Sequence, residues 1–244
     1  LHSKEYGNFA FAPNGKSMAA GFEDVTVKLF DVESMKPTGV LTGMQFVVAF
    51  SGDSSHLLAS KANGVAYWWD VEARCGQSLP AYSGNLSNVI YADLSSDGRV
   101  AALGHADGMV QILEVLSGKT LWMFRAHSAR IRTLRFSPDA RKLVSGGSDH
   151  AVALWDVERQ SELARSEEAA AHKGAVCAAV ISRDGKRLAS GCGAGTIKLW
   201  LPQNLTNALV TIACHKSALR SLDFCPPDSA TLASGGEDNI VKLW

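Results

Sequence analysis

The segment LVSGGSDHAVALWD, residues 143–156, decides the fold of this chain because it returns in altered form along the sequence. Its last part alternates apolar and other side chains and closes on an aromatic residue or Leu. Six segments close in this way, at Phe30, Trp69, Leu113, Trp155, Trp200 and Trp244. The closing residues are 39, 44, 42, 45 and 44 positions apart. A period of this length indicates a repeat of about four short strands joined by tight turns.

An earlier pattern, apolar-x-x-apolar-x-apolar, recurs in the same phase. It occupies Tyr6, Phe9 and Phe11; Val89, Ala92 and Leu94; Ile131, Leu134 and Phe136; Val176, Ala179 and Ile181; and Leu219, Leu222 and Phe224, whereas the second repeat has Gln45 before Val48 and Phe50. The alternating end predicts a half-buried strand, and the extra residue before it predicts a β-bulge. Turn residues such as Arg183-Asp184-Gly185 follow. Next come strands of small, mostly apolar residues, such as Leu188-Ala189-Ser190-Gly191, whose small side chains would allow neighbouring repeats to pack closely.

These residues resemble the WD40 family, whose repeats run from a Gly-His region through Ser-Pro-Asp-Gly and Ser-Gly-x-x-Asp to a closing Trp-Asp. Trp69-Asp70 and Trp155-Asp156 are the literal dipeptide, and Phe30-Asp31 is a near match. Leu113-Glu114 and Trp200-Leu201 are degenerate. The resemblance covers nearly the whole chain, because six repeats keep phase at two independent positions.

The resemblance implies an all-β fold, a β-propeller with six four-stranded blades visible, in a single domain over residues 1–244. The repeats span approximately 1–31, 32–70, 71–114, 115–156, 157–201 and 202–244. The sixth stops at its third strand, so we expect a closing strand or a seventh repeat outside these residues. Residues 162–171 have a helical composition. We expect tertiary context to override that propensity there, or a short helical turn to interrupt the blade.

Composition narrows the partners and the compartment. Lys plus Arg and Asp plus Glu both total 24, so no global basic charge attracts nucleic acid or anionic lipid. The five cysteines are odd in number and form no C-x-x-C pair, which argues against a disulfide framework and a zinc knuckle. Apolar runs are far shorter than the ~20 residues that span a bilayer. We therefore expect an intracellular protein, cytoplasmic or nuclear, with no membrane partner.

Ser, His and Asp recur together, as they do in a hydrolase triad. The two sets are His127, Ser145 and Asp149 with Trp155, and His215, Ser234 and Asp238 with Trp244. The WD40 resemblance implies that each set is instead a structural hydrogen-bonded relay, and a nucleophile would not be duplicated from repeat to repeat. We therefore predict no catalytic residue.

The other repeats carry incomplete versions of this set. His172, Ser190 and Trp200 lack the acid because Ala194 takes its place; Asp24 is kept while Ala20 replaces Ser; and Asp107 is kept while Asn85 stands at the His position. We expect the repeats with complete relays to be the most rigid.

No cofactor or metal is predicted. Residues 14–17 and 117–120 end like a Walker loop, but neither has the Gly five residues before its Gly-Lys that completes a phosphate cradle. No H-E-x-x-H motif or carboxylate cluster indicates a metal site. A propeller enzyme is therefore the least favoured of the functional classes.

Arginines 125, 130, 132, 135 and 141 form the strongest local charge feature, either a solvated rim or a binding patch. WD40 domains resembling this one bind peptides through side chains three and five residues after the His position and through the residue before the turn Asp. In this chain those positions are Arg130, Arg132 and Ser148; Ala218, Arg220 and Glu237; and Glu5, Gly7 and Glu23. Guanidinium groups favour an acidic or phosphorylated segment, and the glutamates leave the partner's sign open.

The leading functional hypothesis is a non-catalytic scaffold or subunit of a multiprotein complex that binds proteins or peptides through the top face and rim. The alternative is a nucleic-acid-associated protein that contacts phosphates through its arginine-rich fourth repeat.

Overall fold

A computed structural model describes residues 9–22, 24–44, 46–61, 65–79, 89–166, 171–225 and 230–244. These residues form strands, turns and bends and contain no helix. The first sheet comprises β1 (Phe9–Phe11), β2 (Ser17–Phe22), β3 (Thr26–Asp31) and β4 (Pro37–Thr42). The second comprises β5 (Phe46–Phe50), β6 (His56–Ser60), β7 (Ala66–Asp70) and β8 (Cys75–Ser78). The third comprises β9 (Val89–Leu94), β10 (Val100–His105), β11 (Met109–Glu114) and β12 (Thr120–Arg125).

The remaining three sheets follow the same order. The fourth comprises β13 (Ile131–Phe136), β14 (Lys142–Gly147), β15 (Val152–Asp156) and β16 (Ser161–Arg165). The fifth comprises β17 (Val176–Ile181), β18 (Leu188–Cys192), β19 (Thr196–Trp200) and β20 (Val210–Ala213). The sixth comprises β21 (Leu219–Phe224), β22 (Leu232–Gly236) and β23 (Val241–Leu243). In every sheet the strands lie in sequence order, so each is one propeller blade, and we number the blades 1 to 6.

The architecture confirms the all-β prediction and adds one detail to the repeat pattern. Each closing residue of the sequence repeat lies on or directly after the third strand of its blade, as Trp155 does on β15. The fourth strand of each of the first five blades therefore comes from the next sequence repeat. Of the predicted four-stranded blades, the sixth has three strands in the described residues, as expected from the position of Trp244.

The predicted bulges are present at the starts of the first strands in four of the blades. The register shifts between Ile131 and Thr133 in blade 4, between Val176 and Ala178 in blade 5, and between Leu219 and Ser221 in blade 6. Blade 2 has the same irregularity between residues 47 and 49. The extra residue in the apolar pattern is therefore a genuine signal of a bulge.

In blades 2 to 5 the turns between the first and second strands share one hydrogen-bonded design. In blade 5 the hydroxyl of Ser182 donates to Asp184 Oδ1 at 2.6 Å, and Ser182 Oγ accepts the backbone N–H of Arg187 at 2.9 Å. The serines at 51, 95 and 137 make the same pair of contacts in blades 2, 3 and 4. The hydrogen bond from Ser51 is the largest of the interactions that lower the pKa of Asp53 to about 2. Each turn is thus fixed by a buried serine and a stably ionised aspartate.

The helix-like segment forms a strand over Ser161–Arg165, where tertiary pairing with β15 overrides the intrinsic propensity. The Arg165 guanidinium lies over the Trp155 ring, 5.3 Å from its centroid, which anchors the end of this outer strand. Residues 167–170 lie outside the described residues.

The chain contains two compact units. The first comprises residues 1–103 and 111–121, and the second comprises residues 104–110 and 122–244. Buried apolar side chains pack between blades within each unit: in the first they include Leu29 and Leu57, and in the second Leu154, Val176 and Leu188. The single domain over 1–244 stays a prediction.

Close packing of small residues, which the sequence predicts, is present in the second unit. A Cβ atom on Gly146 of β14 would lie 2.5 Å from Val176 Cγ1 and 2.8 Å from Thr133 Cγ2. These two neighbours are buried and β-branched, and such side chains have few alternative rotamers. Gly146 is therefore required by the approach of β17 to β14.

We expect Gly146→Ala to lower the free energy of unfolding by about 1–3 kcal/mol, because an added methyl in a filled core forces its neighbours to move. Gly193→Ala is the matched control: its Cβ would meet only the carbonyl oxygen of Ala175 at 3.9 Å. Denaturant unfolding of both variants measures the difference. Equal stabilities would show that blades 4 and 5 tolerate the extra volume.

Candidate functional site

A buried hydrogen-bonded relay crosses blade 4. His127 Nδ1 lies 2.9 Å from Asp149 Oδ1, and His127 Nε2 lies 2.8 Å from Ser145 Oγ. The indole N–H of Trp155 donates to the same Ser145 oxygen at 2.9 Å. Asp149 lies in the turn after β14, and His127 lies in the connection that leads into β13. The relay therefore ties that connection to the turn and to the third strand.

Asp149 is ionised within this relay. Burial raises its pKa, but the hydrogen bond and charge of His127 and the backbone N–H groups of Ser128 and Ala151 outweigh burial and bring the pKa to about 2. Its two oxygens accept these three donors. The carboxylate is thus fully engaged in holding the turn.

Blade 6 contains the same relay. His215 Nδ1 lies 2.8 Å from Asp238 Oδ1 and His215 Nε2 lies 2.9 Å from Ser234 Oγ, which accepts the Trp244 indole N–H at 2.9 Å. The four predicted residues of each set are therefore brought together in both blades. Ser145 and Ser234 are almost completely buried, so neither hydroxyl is placed where a substrate could reach it.

Blade 5 has the relay without its acid. His172 Nε2 lies 2.7 Å from Ser190 Oγ, which accepts the Trp200 indole N–H at 2.8 Å. The other ring nitrogen, Nδ1, is buried and has no hydrogen-bond partner among the described residues, because Ala194 stands at the position of the aspartate. Burial, followed by the charges of Lys198 and His150, lowers the pKa of His172 to about 3.

The isolated acids of the first and third repeats act locally. Asp24 accepts the backbone N–H and the hydroxyl of Thr26, two residues later. Asp107 accepts the backbone N–H of Met109 at 3.1 Å. Asn85, at the His position of the third repeat, lies outside the described residues.

The predicted partner-binding residues of the fourth repeat form a paired group. Arg132 Nε donates to Ser148 Oγ at 3.0 Å, and the backbone N–H of Ser148 donates to the Arg130 carbonyl oxygen at 2.8 Å. The Arg130 side chain is exposed, and Arg132 is half-buried. Strand β13 and the turn after β14 thus hold one arginine while the other faces solvent.

The sixth repeat presents a charged pair at the equivalent positions. The Arg220 guanidinium contacts the Glu237 carboxylate, and both side chains are exposed. The backbone N–H of Glu237 donates to the Ala218 carbonyl oxygen at 2.9 Å. Glu5, Gly7 and Glu23 of the first repeat lie outside the described residues.

Cys177 of the fifth repeat completes this group, and the sequence interpretation missed it. Burial raises the pKa of its thiol, and the nearby charges of Arg132 and Arg220 oppose that rise. The thiol therefore lies close to arginines of both adjacent blades. The spacing in the sequence could have indicated it, because Cys177 follows His172 by five residues, as Arg132 follows His127. We name Arg130, Arg132, Ser148, Cys177, Arg220 and Glu237 the three-blade surface.

The remaining arginines of the basic stretch lie elsewhere. Arg125 Nη1 donates to the Asp107 carbonyl oxygen at 2.7 Å. Arg130 directly precedes β13, Arg132 and Arg135 lie on this strand, and Arg141 is in the turn beyond its end. The stretch therefore does not form one continuous patch.

Within the described ranges, no group of three or more His, Cys, Asp or Glu side chains is arranged to hold a metal ion. The same part of the chain has no helix that is long and apolar enough to cross a membrane. The five cysteines are unpaired.

Comparisons with known proteins agree with this architecture. The family model described as "WD domain, G-beta repeat" matches residues 118–156, 166–200 and 207–244. "Cell division cycle 20.5, cofactor of APC complex" of Arabidopsis thaliana is 26% identical over 200 residues, which cover 78% of this chain and 44% of that protein. "Guanine nucleotide-binding protein subunit beta" of Oryza sativa subsp. japonica is 23% identical over 269 aligned positions, covering 100% of this chain and 70% of that protein.

A solved structure has the same fold. The crystal structure of the computationally designed Ika8 protein matches with a TM-score of 0.75 and 25% identity, over 96% of this chain and 70% of that one. This chain spans less than half of the Arabidopsis relative, 44%, and 70% of the rice relative.

Proposed function

We propose that this chain, which belongs to the WD40-repeat family, is a non-catalytic interaction module, either a scaffold or a subunit of a multiprotein complex. The observation that carries the proposal is the three-blade surface, where polar and charged side chains of three blades lie at or beside the ends of strands. The Ser-His-Asp sets, by contrast, form buried structural relays. The names of the relatives, a complex cofactor and a G-protein subunit, support the same role.

The charge distribution favours an acidic or phosphorylated protein segment as the partner. Glu237 neutralises Arg220, whereas among the described residues Arg132 donates to the neutral Ser148 hydroxyl and has no acidic partner, and Arg130 is exposed. The blade 4 side of the surface therefore carries net positive charge. Guanidinium groups form bidentate, charge-assisted hydrogen bonds with carboxylates and phosphates. We propose that this function is carried out inside the cell, in the cytoplasm or nucleus; five cysteines without a C-x-x-C pair, which are typical of a reducing compartment, support this location.

We expect the double variant Arg130→Gln/Arg132→Gln to reduce recovery of the main co-purifying protein by about tenfold or more, because each charged hydrogen bond contributes ~1.5–3 kcal/mol. Quantitative mass spectrometry after affinity purification from cells measures the recovery. Arg141→Gln removes one positive charge from an exposed turn and is the control for a general loss of charge. Unchanged recovery with the double variant would contradict partner binding at the three-blade surface. A wild-type chain that co-purifies with no stoichiometric partner would contradict the proposed role as an interaction module.

Nucleic acid is the competing partner, and the exposed Arg130 is the observation that favours it. Binding to phosphates releases counterions, so affinity for RNA or DNA would fall steeply as salt rises. Binding to labelled RNA and DNA at low salt, lost in the same double variant, would replace the protein-partner proposal. No binding at low salt excludes this alternative.

A further inference from the structure

The outer strand of blade 5 presents an uncharged, apolar edge. Within the described residues, β20 lies at the end of its sheet and pairs with β19 on one side only. Leu209 and Val210 are 55% and 45% exposed there. No Lys, Arg, Asp or Glu occurs between Lys198 and Lys216. Proteins usually protect such an edge with charge or proline, because its free backbone groups can pair with a strand of another chain.

The outer strands of the other four-stranded blades carry that protection. Strand β4 begins at Pro37, β8 directly follows Arg74, β12 ends at Arg125, and β16 contains Glu162 and Arg165. Proline lacks the N–H that a neighbouring strand would need, and a charged side chain resists being covered by an added strand. Blade 5 therefore differs from these four blades in the property that prevents strand pairing.

The hydrogen bonds between β19 and β20 show which backbone groups of β20 point outward. Ala213 lies opposite Thr196, and the N–H of Cys214 donates to the Gly195 carbonyl oxygen at 2.9 Å. In an antiparallel ladder this pattern makes Ala213 and Thr196 a non-hydrogen-bonded pair, and such pairs alternate with hydrogen-bonded ones along the strand. The N–H and C=O groups of Thr211 and Ala213 therefore point away from β19, and both residues are exposed.

The segment is complementary to itself in an antiparallel arrangement centred on Thr211. Each Thr211 N–H would then donate to the Thr211 carbonyl oxygen of the second copy, and each Ala213 N–H to the Leu209 carbonyl oxygen. Val210 would lie opposite Ile212 in a non-hydrogen-bonded pair, where side chains approach most closely. Pairs of β-branched residues stabilise a sheet, and no like charges face each other in this register.

We propose that β20 mediates self-association of this chain. Two copies pair their β20 strands antiparallel about a twofold axis and join two four-stranded blades into one continuous sheet. Because the paired strands are short, they bury less than the ~1,200 Å² of standard interfaces, and we expect a dissociation constant of ~0.1 mM. No residue of the three-blade surface belongs to β20, so this inference is independent of the proposed function.

Sedimentation equilibrium of the full chain over a range of concentrations tests the proposal. We expect the average mass to rise with concentration from 26.0 kDa toward twice that value. Thr211→Pro removes an outward N–H without breaking the ladder to β19, and Val210→Lys places a charge in the pairing. Each should weaken association about tenfold or more. We also expect the amides of Thr211 and Ala213 to exchange more slowly at high concentration, because pairing protects them from solvent.

Val40→Lys is the matched control, because Val40 is a valine that is 51% exposed on the outer strand β4 of blade 1. This variant should associate as wild type does. Melting temperatures show whether the two β20 variants remain folded. A wild type that stays monomeric at every concentration overturns the proposal. Folded Thr211→Pro and Val210→Lys variants that associate as tightly as wild type also overturn it, as does exchange protection at high concentration that is confined to another strand.

Discussion

Asp149→Ala is expected to lower the free energy of unfolding by about 3 kcal/mol, whereas Asp107→Ala lowers it by about 1 kcal/mol or less. Removing Asp149 leaves the buried Nδ1 of His127 without an acceptor and also frees the N–H groups of Ser128 and Ala151. Asp107 accepts only the N–H of Met109 among the hydrogen bonds of the described residues. The difference therefore comes from the relay and not from the turn itself.

Denaturant unfolding of both variants measures this difference, which corresponds to roughly 4–8 °C in melting temperature for a chain of this size. Asp149→Asn is the second control, because its amide oxygen still accepts from His127 while the charge is lost; we expect an intermediate stability. The effect also depends on pH. Since the pKa of Asp149 is lowered to about 2, its contribution is complete above about pH 4 and disappears as the pH falls toward 2. Equal losses at Asp149 and Asp107 would contradict the relay as a source of stability.

Ala194→Asp is expected to raise the free energy of unfolding by about 2 kcal/mol, an unusual direction for a single substitution. The new carboxylate would stand where Asp149 and Asp238 stand in the complete relays and would accept from the unpartnered Nδ1 of His172. Ala194 is exposed, so its turn has room for the longer side chain. Completing a buried network removes the cost of its unsatisfied ring nitrogen.

The increase in the free energy of unfolding produced by Ala194→Asp should become larger as the pH is lowered from 7 to 5. With its pKa lowered to about 3, folded His172 stays neutral while the unfolded chain binds a proton below about pH 6.5, so wild type loses stability through this range. A carboxylate beside the ring raises the pKa of His172 and reduces that loss. Ala194→Asn provides an acceptor without charge, so its smaller gain should not grow with acidity.

Unfolding curves at several pH values, with the His172 ring followed by NMR, test both statements. A variant that is no more stable than wild type at pH 7 and at pH 5 would mean that the turn does not bring residue 194 to the ring.

The sequence predicted the features that depend on local periodicity. The apolar-x-x-apolar-x-apolar pattern located the first strands and their bulges, as at Ile131 and Thr133, because one added residue reverses the facing of every side chain before it. Strand β16 shows the limit of intrinsic propensity. Its composition indicates helix, but pairing with β15 and the contact of Arg165 with Trp155 decide its structure.

Contacts between segments that are distant in the sequence could not be predicted from it. The carbonyl of Asp107 positions Arg125 across 18 residues, and no residue type at position 107 reveals a backbone acceptor. Ala194 was visible as a missing acid, yet only the structure places an unpartnered, buried nitrogen beside it. The spacing of the residues thus predicted which side chains form the relay, but it did not predict that the Nδ1 atom of His172 lacks a hydrogen-bond partner.

The approach of Gly146 to Val176 has a consequence for exchanging repeats between positions. On β18, Gly191 is fitted in the same way to Leu219 of the next blade, 2.5 Å from the site of a Cβ. Each glycine thus meets a different side chain, a β-branched one in the first case and a longer, γ-branched one in the second. A repeat moved to another position would bring its own glycine but would meet a first strand whose side chain fits a different glycine. Grafting or duplicating a repeat in this protein should therefore succeed only when the first strand of the following repeat is moved with it.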